Sequence, residues 1–325
     1  MSLQHYGLPL VVTDSGGKDS AVCRELVRRS GVPFELMHNL TTADAPQTIY
    51  YVREQFQKAE QAGITCSINK PYYKGQRITM WSLIPMKMIP PTRTIRYCCE
   101  VLKENGGAGR FITTGVRWAE SRKRRKNRGI YENFVPNGKK RAIILNNDND
   151  DTRRLFESCL SRGKHVCNPI VDWSDQQVWE YIQAEKIPMN PLYEMGFHRV
   201  GCVGCPMAGK QRYREFRIFP TYERAYRRAF AKMLELRKAA GRQCNSRLWS
   251  DVDAFFRWWM EDPGIPGQYE LSFHEDTMRF IMTICSGREE ELSQNINYLL
   301  DCSMKPGCWK SVFRTGWSFL LRSRH

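Results

Sequence analysis

An apolar run, Leu8 to Val12, ends in Thr13-Asp14 and opens onto Ser15-Gly16-Gly17-Lys18-Asp19-Ser20. The following stretch carries Val22, Leu26 and Val27 at helical spacing. A buried strand that turns through two glycines into a helix leaves little freedom of fold. The glycines let backbone N–H groups converge at a helix N-terminus, which favours an anion. Lys18 can neutralise a phosphate, and Ser15 and Ser20 can hydrogen-bond its oxygens. The spacing is not the longer Gly-x4-Gly-Lys-Ser/Thr of a Walker A loop, so an ordinary P-loop NTPase is not supported.

The alternation continues downstream. Phe34 to Leu40 reads as a second strand, Pro46 to Ala62 as a helix with proline in its first turn, and Ile64 to Ile68 as a third strand. A helix around Met80 to Lys87, a turn at Pro90-Pro91 and a short helix from Cys98 follow. Strands are expected at Arg110 to Val116 and His165 to Val171, then a helix from Ser174 to Glu185. Strands alternating with helices imply an α/β fold with a parallel sheet. Tyr131 to Val135 and Arg141 to Leu145 flank Pro136-Asn137-Gly138 as a hairpin signal. Beyond Pro206 the text turns helical: Tyr222 to Ala240, Trp249 to Met260, Glu275 to Cys285 and Glu289 to Leu300. Two domains are therefore expected, 1–206 binding nucleotide and 207–325 a helical, basic C-terminal region, with Pro263 to Gly267 as a linker.

Charge narrows the partners. Fifty Lys and Arg against 34 Asp and Glu give a formal +16, which attracts polyanions. Neither a signal peptide nor a membrane-length apolar window is visible, so a cytosolic protein is expected, without a membrane partner. Twelve cysteines in such a chain point away from disulfides and toward metal or sulfur chemistry. Cys98-Cys99 with the distant Cys202-Val-Gly-Cys205-Pro is the outstanding set. Four thiolates suit a tetrahedral zinc or a 4Fe-4S cluster, and the adjacent pair suits iron–sulfur better. Cys23, Cys66, Cys159, Cys167, Cys244, Cys285, Cys302 and Cys308 read as structural thiols.

The Ser15 to Ser20 hexapeptide resembles the PP-loop of the adenine nucleotide alpha-hydrolase superfamily, whose N-type ATP pyrophosphatases cleave ATP between the α- and β-phosphates. The cysteine pairs, the stretch Asn168 to Trp179 and Pro191-Leu-Tyr-Glu-Met-Gly196 resemble the phosphoadenosine phosphosulfate (PAPS) reductase family over about residues 8–210. Thr114-Gly115-Val116-Arg117 is similar to that family's Gly-x-Arg segment, which implies that Arg117 approaches nucleotide phosphates. The resemblance further implies a catalytic role for Lys18 and Asp19, with Asp19 holding Mg2+ or positioning pyrophosphate, and a 4Fe-4S cluster on Cys98, Cys99, Cys202 and Cys205.

Two departures steer the reading toward ATP. The reductases carry a Glu-Cys-Gly-Leu-His-like tail whose cysteine attacks sulfur, whereas this sequence closes on Trp317 to His325. The loop also retains the full Ser-Gly-Gly-Lys-Asp-Ser form that reductases tend to alter. The combination resembles the ATP pyrophosphatase subunit of DNA phosphorothioation systems and, more distantly, cluster-dependent tRNA thiolases. It implies activation of a nucleic acid for sulfur, with a donor such as a cysteine desulfurase. The alternatives are a reductase of PAPS or adenosine phosphosulfate, with Cys302 or Cys308 as substitute nucleophile, and a nucleotide-sensing subunit without chemistry.

Arg117 is followed by Arg122, Lys123, Arg124, Arg125, Lys126 and Arg128, a density suited to phosphate contacts. An exposed charged loop or a docking surface for an acidic partner would carry the same residues. Tyr222, Tyr226, Phe230 and Met233 recur at helical spacing and read as core, with Arg224, Arg227, Arg228 and Lys232 on the opposite side. His38 and Asp44, at the end of the second strand, and His198, beside Cys202, are weaker candidates.

Overall fold

The computed structural model describes residues 2–104, 106, 107, 109–134, 164–241, 251–261, 269–274, 279–284 and 318–323. In chain order the elements are α1 (Ser2–Tyr6), β1 (Leu10–Thr13), α2 (Lys18–Arg29), β2 (Phe34–Asn39), α3 (Pro46–Gln61) and β3 (Cys66–Asn69). A two-strand hairpin β4 (Tyr72–Tyr73) and β5 (Gln76–Arg77) leads to α4 (Met80–Lys87) and the helical turn α5 (Tyr97–Cys99). Then come β6 (Phe111–Thr113), α6 (Arg122–Asn127), β7 (Tyr131–Phe134), β8 (Lys164–Cys167), α7 (Asp175–Ala184), α8 (Gln211–Ile218), α9 (Pro220–Ala239) and α10 (Val252–Glu261).

The central sheet runs β3-β2-β1-β6-β8-β7. Its first five strands are parallel and only β7 is antiparallel. A sheet covered on both faces needs continuous apolar strands rather than alternation. Accordingly Val11 and Val12 are both buried. Val12 packs with Val27, Leu36, Val52 and Phe56 under α2 and α3, while Val11 packs with Met37, Ile112 and Val166. Ala21, Val22 and Cys23 of α2 meet Val178 and Ile182 of α7 in a third cluster. Because the five strands are parallel, the residues after Thr13, Asn39, Thr113 and Cys167 emerge at one edge. That edge is where open α/β sheets bind ligands.

Local sequence fixes the helix starts. Pro46 occupies the first turn of α3. Ser174 and Gln177 form a reciprocal capping box on α7, with Ser174 Oγ accepting the Gln177 N–H at 3.1 Å and Gln177 Oε1 accepting the Ser174 N–H at 2.8 Å.

Two expectations change. Residues Met1–Met260 form one compact unit and Glu261–His325 another, so the change of unit does not fall after residue 206. Helices α8 to α10 belong to the first unit because their aromatic seam has its partner there: Trp81 of α4 meets Tyr226 of α9 edge-on at 4.9 Å between ring centroids. In the second unit, the helix expected over Glu275 to Cys285 is instead strand β10 (Arg279–Ile284). It pairs antiparallel with β9 (Tyr269–His274) and parallel with β11 (Ser318–Ser323). Ile281, Thr283 and Ile284 favour a strand, and a run this short carries no decisive period. The expected Arg141 to Leu145 strand and Glu289 to Leu300 helix lie outside the described residues, and β7 pairs with β8. Among the described residues no helix is long and apolar enough to cross a membrane.

Candidate functional site

The Ser15 to Ser20 loop sits at the carboxyl end of β1 and opens α2. Gly16 adopts φ +74°, and a Cβ there would lie 2.8 Å from Thr48 Cγ2, so both conformation and space demand glycine. Asp14, 1% exposed, supports the loop from inside. Its Oδ1 accepts the Gly16 N–H at 2.8 Å and the Ser20 hydroxyl at 3.0 Å, while Oδ2 is paired with Arg24. Arg24 also donates to Tyr51 and Gln55, each at 3.2 Å. Ser15 N donates to Ser20 Oγ at 3.2 Å. Asn190 Nδ2 donates to the Gly16 carbonyl at 3.0 Å, and Tyr193 OH accepts the Lys18 N–H at 2.9 Å. His38 Nδ1 meets the Asp14 carbonyl at 2.7 Å, so this buried histidine braces the loop rather than facing a ligand.

Above this frame four charges close a ring. Lys18 Nζ lies 3.1 Å from Asp19 Oδ2 and 3.1 Å from Asp175 Oδ1. Arg117, 2% exposed, reaches Asp19 Oδ1 through Nε at 2.6 Å and Asp175 through Nη2. Its remaining nitrogen donates to the Trp173 carbonyl at 3.1 Å. Burial raises and the Arg117 and Lys18 hydrogen bonds lower the Asp175 pKa, and the bonds win, holding the carboxyl below its usual value. Gly115 lets the Arg117 segment approach: a Cβ there would stand 2.8 Å from the Asp19 carbonyl carbon. Two cations placed by a helix N-terminus and a strand end can bind phosphate oxygens, and two carboxylates beside them can bind a divalent cation.

The cysteines come from separate loops. Cys98 and Cys99 sit on α5, where they hydrogen-bond each other, so Cys98 keeps its proton and Cys99 is held toward thiolate. Cys202 is bridged through its backbone to Asp44 after β2, and its Sγ donates to Thr41 Oγ1 at 3.3 Å. Burial pushes the Cys202 thiol up to about 11 against the pull of Lys103. Cys202, Cys99 and Cys205 in turn hold Lys103 charged against its own burial, with Cys202 the strongest. Arg96 Nη2 donates to Cys99 Sγ at 3.3 Å and also senses Cys205 and Cys98. All four cysteines thus occupy one neighbourhood with two cations, although no three His, Cys, Asp or Glu side chains among the described residues are already arranged around a metal. The donors fit a cluster: soft thiols with cationic neighbours to balance thiolate charge. Gly204, between Cys202 and Cys205, has φ +74°, and a Cβ there would fall 2.4 Å from the Phe216 ring and 2.7 Å from that of Tyr226. Cys23 and Cys167 are core thiols that burial pushes up, Cys167 to about 12, and Cys302 and Cys308 lie outside the described residues.

The basic stretch forms α6, capped by Ser121, whose Oγ accepts the Arg124 N–H at 3.2 Å. Arg122, Arg125 and Lys126 are exposed, with Lys123 on the same helix. Arg128 instead pairs with buried Glu132 at 2.8 Å, and Arg124 with Glu120. Burial, then the crowding guanidiniums of Arg128, Arg96 and Arg199, lower the Arg124 pKa. Arginines from the cysteine turn, the basic helix and the approach to Cys202 therefore share one electropositive neighbourhood. His198 is exposed, and Asp44 Oδ2 accepts the Thr41 N–H at 2.8 Å.

Sequence reasoning missed Asp14, Arg24, Asn190, Tyr193 and Asp175 as parts of this site. A polar Asp14 ending a buried strand was the one signal on offer; the others arrive from distant loops.

The family described as the phosphoadenosine phosphosulfate reductase domain matches residues 9–208. Adenosine 5'-phosphosulfate reductase of Neisseria meningitidis is 50% identical over 44 residues, 14% of this chain and 18% of that protein. Sulfate adenylyltransferase subunit 2 of Allorhizobium ampelinum is 29% identical over 190 residues, 56% of this chain and 57% of the relative. The chain thus spans less than two thirds of the length of these curated relatives. Among solved structures, phosphoadenylyl-sulfate reductase from Candida auris in a phosphate complex aligns with TM-score 0.38 and 20% identity, over 60% of this chain and 82% of that one.

Proposed function

The chain belongs to the phosphoadenosine phosphosulfate reductase domain family, and we propose that within it the chain is an ATP pyrophosphatase that activates a nucleic acid for sulfur incorporation. The observation that carries this reading is the charge ring on an intact loop: Lys18 and Arg117 are placed for phosphate oxygens, and Asp19 and Asp175 share those cations. A site that only reduced a sulfonucleotide would need the cations but has no use for paired carboxylates.

In this reading an acceptor oxygen attacks the α-phosphorus, the bond to the bridging oxygen breaks, and pyrophosphate leaves with the electron pair. Lys18, Arg117 and the loop N–H groups offset the charge that grows on the phosphates. Mg2+ would neutralise the leaving pyrophosphate. Cys98, Cys99, Cys202 and Cys205 would hold a 4Fe-4S cluster, which would supply sulfur-handling or electron-transfer chemistry. The exposed face of α6 suits a phosphate backbone, DNA or tRNA, and sulfur would come from a donor such as a cysteine desulfurase.

Anaerobically purified protein tests the reading. Pyrophosphate released from ATP and stimulated by DNA or tRNA supports it. Thiol-dependent sulfite release from PAPS or adenosine phosphosulfate would overturn it in favour of the reductase, a second reading that draws on the 50% identity over 44 residues to a protein of that name. ATP binding with neither product would mark a nucleotide-sensing subunit. The visible absorbance of an iron–sulfur chromophore tests the cluster separately, and a colourless, zinc-bearing protein would exclude it.

A further inference from the structure

Asp175 has no counterpart in a simple phosphate grip. It occupies the first position of α7, its side chain is 69% exposed, and it is nevertheless engaged by both cations of the site. Asp19 engages the same two, so the ring Lys18, Asp19, Arg117, Asp175 is electrically neutral. A metal-free polyphosphate approaching this ring gains two cations only by stripping them from two carboxylates, which are then left unpaired beside its own negative charge. That exchange is unfavourable unless another cation takes the carboxylates.

We propose that Asp175, together with Asp19, forms the divalent-cation end of the nucleotide site, so that the loop accepts a triphosphate as its Mg2+ complex. The inference rests on the reading of the loop as an ATP site and adds which residues make that binding metal-dependent. Geometry supports it. The Asp19 and Asp175 oxygens both contact Lys18 Nζ at 3.1 Å, so they lie no more than about 6 Å apart. Mg2+ binds oxygens at about 2.0–2.1 Å and is commonly held by one or two carboxylates plus substrate phosphates, keeping several waters. A small rotation of exposed Asp175 is then enough to bring the pair onto one ion. Lys18 and Arg117 hold the carboxylates in place beforehand and pass to the phosphates when the complex enters.

The test compares ATP dissociation constants by calorimetry, with excess Mg2+ and with EDTA, for the intact chain and for Asp175→Asn. Asp172→Asn, an exposed neighbour on the preceding loop, serves as control. The intact chain and the control are expected to bind Mg-ATP at least tenfold more tightly than metal-free ATP. Asp175→Asn is expected to bring the ratio toward one from both sides, tightening metal-free ATP and weakening Mg-ATP. Electron paramagnetic resonance of Mn2+ with a non-hydrolysable ATP analogue gives a readout independent of turnover, and the variant is expected to lose the protein-dependent broadening. An unchanged ratio and unchanged Mn2+ spectrum in folded Asp175→Asn would overturn the proposal while leaving the ATP site standing. Failure of the intact chain to bind ATP under either condition would instead remove the ATP reading itself.

Discussion

Asp14 Oδ1 accepts the amide N–H of Gly16 at 2.8 Å, so the residue that ends the buried strand also shapes the loop that follows it. Its other oxygen is committed to Arg24, a side chain only 12% exposed. Asp14→Ala removes one partner of this pair and leaves the other charge buried, a change that costs about 3–5 kcal/mol. Urea unfolding is expected to show a loss of that order. Asp14→Asn keeps an acceptor for Gly16 and Ser20 and should retain more ATP affinity than the alanine variant; equal affinities would show that the acceptor does not shape the loop.

Gly16→Ala is expected to weaken ATP binding at least tenfold while leaving the fold intact. The loss has two parts, the left-handed backbone at φ +74° and the clash with Thr48 Cγ2 at 2.8 Å. Adding Thr48→Ser deletes the clashing methyl and keeps the hydroxyl that accepts from Asn190 at 3.1 Å. The double variant should regain part of the affinity by calorimetry, and no recovery would mean that backbone strain accounts for the whole loss.

Arg212, 1% exposed, donates to the Trp259 carbonyl at 3.1 Å and the Met260 carbonyl at 2.8 Å, closing the last turn of α10. Arg212→Met keeps apolar bulk and orphans these carbonyls, at about 1–3 kcal/mol for a buried group left unsatisfied. Thermal unfolding should register the drop, and an unchanged midpoint would show that water replaces the guanidinium.

Glu25 offers a pH signature. Hydrogen bonds from Arg28, then Arg29, outweigh burial and hold its carboxyl near 2 instead of 4.5. Because the folded value is depressed, the stability it contributes is present above about 4.5 and is lost as pH falls toward 2. The pairs lie at the surface, so the effect is at most about 1 kcal/mol. Glu25→Gln should therefore lower stability at pH 7 but converge on the parent in acid; a constant difference across the range would assign the loss to packing.

Replacing exposed Arg122, Arg125 and Lys126 by glutamine should weaken DNA or tRNA binding and flatten its salt dependence. On duplex DNA each lost phosphate contact removes about 0.9 from the log–log slope. An unaltered slope in a filter-binding titration would direct the nucleic acid to another face.

The alternating sheet and its phosphate loop were legible because Leu10 to Thr13, Phe34 to Asn39 and the glycines at 16 and 17 obey local rules of burial and turn geometry. The gathering of Cys98-Cys99 with Cys202 and Cys205 followed from family pattern, and nothing local foretells it. Asp175 was hidden for a different reason: in the sequence it is one more acidic residue in a helix's first turn, and only the fold brings it to Lys18 and Arg117. The strand at Arg279–Ile284 was misread as helix because six apolar-rich residues fit either period.

The glycine at 204 has a consequence for inheritance. Since even one methyl there would strike the rings of Phe216 and Tyr226, the cysteine loop and the helices behind it are a matched casting. A shuffling event that exchanged residues 1–206 alone would separate mould from cast. The helical segment through residue 260 is therefore expected to travel with the loop through recombination, and grafts should take their seam after it.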